Sequence, residues 1–103
     1  MPSRKRTIAE KYTCPCCGYK TLDEIAPGFP PVYNICGICG WEYYPPNVED
    51  PDWGQGGPNS PLSLRQAQRN FVEIGACSAK MRPYVRRPTQ RDQRDSDWKL
   101  LEE

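Results

Sequence analysis

The sequence predicts a small α+β domain, and three observations predict it. The chain has 103 residues, enough for one small domain but not for two full-sized cores. Two matched cysteine pairs, Cys14/Cys17 and Cys36/Cys39, each enclose two residues and are each followed by a glycine. One apolar stripe, Leu64, Ala67, Phe71 and Ile74, recurs at helical intervals of three and four. Length alone excludes a doubly wound sheet or a barrel enzyme. The 8 glycines and 12 prolines favour loops wrapped around small packing centres over a continuous sheet or bundle.

Residues 1–10 read as a flexible basic arm, opening Arg4-Lys5-Arg6. Residues 11–98 read as a single domain and residues 99–103 as a tail. Tyr12-Thr13 leads into the turn Cys14-Pro15-Cys16-Cys17-Gly18, and Tyr19 to Leu22 is the returning strand. The stretch Ala26-Pro27-Gly28-Phe29-Pro30-Pro31 is a connector, because its prolines remove backbone donors and block helix. Val32 to Ile35 enters the second cysteine turn as a strand, Trp41 to Tyr44 leaves it as another, and Pro45-Pro46 stops that strand. Asn47 to Pro61 is an acidic, glycine-rich loop.

The helix starts after Ser63. Its hydroxyl can cap, and Gln66 three residues later completes a capping box. Arg65, Gln68, Arg69 and Glu73 fall mainly off the apolar stripe, and Gly75 suits the C-terminal cap. So short a helix is marginal alone and must bury its stripe. Beyond it, Pro83 and Pro88 interrupt regular structure, and Thr89 to Asp97 reads as solvated chain ending near Trp98.

Two C-x₂-C turns can each point two sulfurs inward, and the intervening segment closes them into a tetrahedral four-cysteine site. The predicted fold is therefore zinc-ribbon-like: β hairpins around Cys14, Cys17, Cys36 and Cys39, one packed amphipathic helix, and an irregular C-terminal segment. The expected cofactor is one structural Zn²⁺ per chain, since four protein thiolates leave no open coordination position. Iron in the same geometry, disulfides and free thiols are the rival readings. Cys16 blurs the register. Cys14 and Cys17 match the second pair and align both glycines, which leaves Cys16 as a thiol beside the site, an exchanging ligand or half of a redox pair. Cys77 follows the helix and reads first as a small packed hydrophobe, with an extra ligand or a reactive thiol as the rival readings.

No histidine is present, so Ser/His/Asp and Cys/His catalysis are excluded. The Gly54–Gly57 run lacks the Lys-Ser/Thr ending of a phosphate loop. Glu49, Asp50 and Asp52 read first as loop solvation and as partners for the Arg-rich tail. Trp41 and Tyr43 read as core, while Trp53 and Trp98 either cover that core or anchor a partner. The chain is expected not to be an enzyme.

The formal charge is +1, and a zinc-loaded four-thiolate site takes it to about −1. Charge is unevenly spread: no Lys or Arg lies between Lys20 and Arg65, whereas Lys80 to Lys99 holds seven basic residues against three acids. A protein partner is therefore expected. Nucleic acid is the alternative, through the N-terminal arm and Arg82, Arg86, Arg87, Arg91 and Arg94, with Tyr84 stacking on a base. No apolar run is long enough for a membrane span or secretory signal, and clustered cysteines suit a reducing cytoplasm.

Cys14-Pro15-Cys16-Cys17-Gly18-Tyr19, Cys36-Gly37-Ile38-Cys39-Gly40-Trp41-Glu42 and Glu49-Asp50-Pro51-Asp52 make the chain similar to the bacterial cysteine-rich CPCC family. The similarity runs on through Ser63-Leu64, Ala67 to Phe71, Gly75-Ala76-Cys77, Arg86-Arg87-Pro88 and Asp97-Trp98, covering about residues 12–98. It implies a bacterial origin and a place for Cys77 within the domain. It transfers no catalytic residue.

Overall fold

The structure, a computed structural model, describes Thr7, residues 10–22 and residues 34–101. Arg4 to Arg6 of the basic arm, the proline connector and the start of the strand expected at Val32 lie outside the described residues.

The first cysteine turn sits in a small hairpin. Strand β1 (Tyr12–Thr13) pairs antiparallel with β2 (Lys20–Leu22), with Tyr12 opposite Leu22, Thr13 opposite Lys20, and an irregularity between the two pairs. The second turn makes less sheet than expected. Among the described residues its flanks meet in an isolated bridge between Ile35 and Glu42. Tyr43 N–H still donates to the Asn34 carbonyl (2.9 Å) across that bridge, and on the opposite edge the Asn59 side chain holds Glu42: its Oδ1 accepts from the Glu42 N–H (3.0 Å) and its Nδ2 donates to the Glu42 carbonyl (2.7 Å).

Pro45-Pro46 ends the strand and also begins a short helix, α1 (Pro45–Glu49). A proline costs nothing at a helix start, where its missing N–H has no partner anyway. Asn47 of α1 is fully buried and holds the loop behind it, donating to the Trp53 carbonyl and accepting from Asn59. Trp53 stacks on Tyr44, with ring centroids 6.1 Å apart.

Helix α2 spans Leu64–Ile74, as the stripe predicts. Ser63 Oγ accepts from the Gln66 N–H (3.1 Å), and Gly75 closes the helix at φ +76°, a left-handed cap that glycine adopts without strain. Leu64 and Ala67 are buried, with Phe71 packed against the same core. Gln68 departs from the expected polar face and is itself buried. Its amide donates to the Pro15 carbonyl (2.9 Å) and accepts from the Leu101 N–H (2.8 Å), so it joins the helix to the first cysteine turn and to the chain end.

The segment after α2 adds contacts that the sequence reading did not foresee. A 3₁₀ helix covers Ala79–Tyr84, and the stretch expected to be solvated, Thr89 to Asp97, is mostly exposed but also bonds to the first hairpin. Tyr19 and Arg94 form a bridge, Lys20 N–H donates to the Gln93 carbonyl (2.8 Å), and Asp95 N–H donates to the Gly18 carbonyl (2.7 Å). Pairing of a third chain segment beside a two-strand hairpin leaves no periodic hydrophobic signal, because backbone groups make the contact. Among the described residues, no helix is long and apolar enough to cross a membrane.

Candidate metal centre

The two cysteine turns are built alike. In the first, Gly18 N–H donates to the Cys14 carbonyl (2.8 Å) and Cys14 N–H to the Tyr19 carbonyl (2.9 Å). In the second, Gly40 N–H donates to the Cys36 carbonyl (2.8 Å) and Cys36 N–H to the Trp41 carbonyl (2.9 Å). Each turn closes through a glycine with positive φ, +82° at Gly18 and +85° at Gly40. A side chain there would be strained and would also collide. A Cβ on Gly18 would lie 2.5 Å from the Trp98 ring, and one on Gly40 would lie 2.9 Å from the Met81 Cβ. The C-terminal segment thus caps both turns, Trp98 over the first and Met81 over the second.

These backbones bring together the four cysteines that the spacing pairs. The sulfurs of Cys14, Cys17, Cys36 and Cys39 all lie within 4.8 Å of one another, and all four residues are fully buried. Cys14 Sγ and Cys39 Sγ are 3.6 Å apart, and Cys17 Sγ and Cys36 Sγ are 3.7 Å apart. The Thr21 hydroxyl, on the returning strand, donates to Cys36 Sγ (3.0 Å), and the Trp41 N–H donates to Cys39 Sγ (3.5 Å).

The electrostatics of this quartet suit a cation. Hydrogen bonds from Cys14, then Cys17 and Cys39, drive the Cys36 thiol far below its ordinary value, with Thr21 adding to the effect. Burial pushes the Cys14 thiol up, and hydrogen bonds with Cys14, Cys16, Cys17 and Cys36 push Cys39 up. Four sulfurs this close and this dry cannot all ionise unless a positive ion shares their charge. The donor set fits a metal ion bound by four thiolates.

Cys16 is fully buried beside the quartet. Cys77 is buried too, with its thiol pushed up to about 12, chiefly by burial. Its backbone N–H donates to the Cys39 carbonyl (2.7 Å), so it fixes the second turn from behind. All six cysteines are free thiols. The acidic loop does not gather into a cluster: Asp52 pairs with Arg65 of α2 (2.7 Å), and its N–H is received by Asp50 Oδ1. The expected pairing of that loop with the Arg-rich tail is replaced by pairs within each half, Asp52 with Arg65 and Asp92 with Arg86.

Sequence reasoning missed the clamp on the first turn. The Pro15 carbonyl accepts from both Trp98 Nε1 (2.8 Å) and Gln68 Nε2 (2.9 Å). The Arg94 guanidinium lies 5.1 Å from the Tyr19 ring centre and 4.9 Å from that of Trp98, while its Nε donates to the Cys17 carbonyl (3.1 Å). The Arg-x₃-Trp pair late in the chain was the available signal, but nothing in its spacing names Pro15 or Cys17 as the target.

A family model, cysteine-rich CPCC, matches residues 12–92 of the chain, which therefore belongs to the cysteine-rich CPCC family. No curated protein matches it.

Proposed function

We propose that the four cysteines hold one Zn²⁺ and that the ion is structural, in a non-enzymatic module that works through contacts with a protein. The carrying observation is the sulfur quartet. Tetrahedral zinc at about 2.3 Å from each sulfur sets sulfur–sulfur edges of about 3.8 Å, and two of the pairs stand at 3.6 and 3.7 Å. When bound, such an ion supplies a crosslink between the two turns. Four buried protein ligands leave it no position for substrate. Cysteines clustered at metal-ligand spacing suit a reducing compartment, and we assign the chain to the cytoplasm on that ground.

A protein partner is supported by the groove of about 380 Å³ between α2 and the chain end. Val72 and Leu100, both exposed, line it together with Arg65, Arg69 and Glu73. Its exposed apolar lining fits a partner segment carrying apolar side chains. Native mass spectrometry of protein purified without added metal tests both halves of the proposal. The expected species carries one zinc and retains a protein that Val72→Glu releases. A metal-free folded chain, or iron in its place, overturns the zinc assignment. A complex indifferent to Val72→Glu overturns the groove.

A further inference from the structure

The segment of residues 79–91 is exposed, basic and aromatic at once. It is fixed to the second cysteine turn by Met81 against Gly40 and by the Arg86 N–H donating to the Gly37 carbonyl (3.0 Å). Ser78 caps the 3₁₀ helix through the Met81 N–H. A salt bridge then closes the loop that follows. Arg86 grips Asp92 with two parallel bonds of 2.8 Å, and Asp92 Oδ2 also accepts from the Thr89 N–H (2.6 Å) and hydroxyl (3.2 Å).

This arrangement occupies the only acid at the edge of the segment. Residues 79–91 contain no Asp or Glu, and the adjoining Asp92 is committed to Arg86 and the turn. Lys80, Arg82, Arg87 and Arg91 stay exposed and form no ion pair among the described residues. Tyr84 stands between them in the chain and is 76% exposed. Arg94, by contrast, is held by Tyr19 and Trp98.

We infer that this segment binds single-stranded nucleic acid. Each nucleotide of an unpaired strand offers a phosphate for the cations and a base face for the tyrosine, so one ligand satisfies both features. An acidic peptide answers the charges but leaves the ring unused, and a duplex keeps its bases stacked on each other. Because the segment is held by its own hydrogen bonds, little ordering entropy opposes binding. The inference goes beyond the protein-contact proposal and does not depend on the groove beside α2.

The test is fluorescence anisotropy of a labelled 15-nucleotide oligo-dT, and of oligo-rU, with the metal-loaded chain across a salt series. Four phosphate contacts predict that log K falls with log salt at a slope of about −3. Replacing Arg82, Arg87 and Arg91 together by Gln should flatten that slope. Tyr84→Ala should weaken binding about tenfold while Tyr84→Phe retains it, each variant first being shown to hold the wild-type metal content. No binding at low salt overturns the inference. So does binding equally tight to duplex and indifferent to Tyr84→Ala, or displacement of the strand by a poly-Glu peptide at equal concentration.

Discussion

Cys16 and Cys36 are both fully buried, yet their surroundings set different costs for losing a thiol. Cys36 belongs to the sulfur quartet and receives the Thr21 hydroxyl, whereas Cys16 adjoins it. Serine at position 36 removes a soft ligand from a site where the remaining three sulfurs cannot complete a tetrahedron. Cys36→Ser should abolish stoichiometric metal binding and the folded near-UV circular dichroism. Cys16→Ser should keep one metal per chain, at a loss of about 1–3 kcal/mol for a buried hydroxyl in an apolar site. A Cys16→Ser protein without metal would move Cys16 into the ligand set. Residue identity was the most legible layer of this sequence, because a C-x₂-C-G turn fixes sulfur direction within five residues and needs no tertiary information. Gln68 shows where that legibility ends: its helical position reads as surface, and only the distant Pro15 carbonyl and Leu101 N–H make it a buried bridge.

Helix α2 was readable at the level of elements because its cap, stripe and stop are all local. The C-terminal segment was not readable, because backbone bridges and a salt-bridged loop hold it with no repeat. That loop makes a pH-dependent contribution. The Arg86 guanidinium holds the Asp92 carboxyl well below its ordinary value of 3.8, with the Thr89 N–H and hydroxyl adding to the effect. A depressed folded-state pKa means stability that is fully present above the ordinary value and lost as pH falls beneath it. The difference in denaturation midpoint between wild type and Asp92→Asn should therefore be constant from about pH 7 to about pH 5 and shrink below about pH 4. A difference that grows on acidification contradicts the pairing. Amide exchange at Thr89 should rise in the variant as the turn opens.

At the scale of the molecule, the charge asymmetry seen in the sequence reads as one long dipole, but the fold resolves it into short local pairs, Asp52 with Arg65 and Asp92 with Arg86. Long-range attraction therefore does not assemble the domain. Burial offers little more: among the described residues six of the twelve buried apolar ones are cysteines, and the larger aliphatic and aromatic ones are Leu22, Ile38, Trp41 and Leu64. The three parts that meet at the quartet, the first hairpin, the second turn and the segment from Cys77 onward, share hydrogen bonds through backbone atoms of the turns themselves. Withdrawing the metal should therefore loosen all three together. Helix α2, only 11 residues long, then loses the surface that holds its stripe. Titration of the loaded chain with a strong chelator, followed by far-UV circular dichroism and tryptophan fluorescence, should show helix loss and exposure of Trp41 and Trp98 along one coincident curve. Restoring zinc should return both signals. Retention of a cooperative thermal transition in the metal-free chain would mean that packing suffices, and the ion would then have to be doing something other than holding the fold.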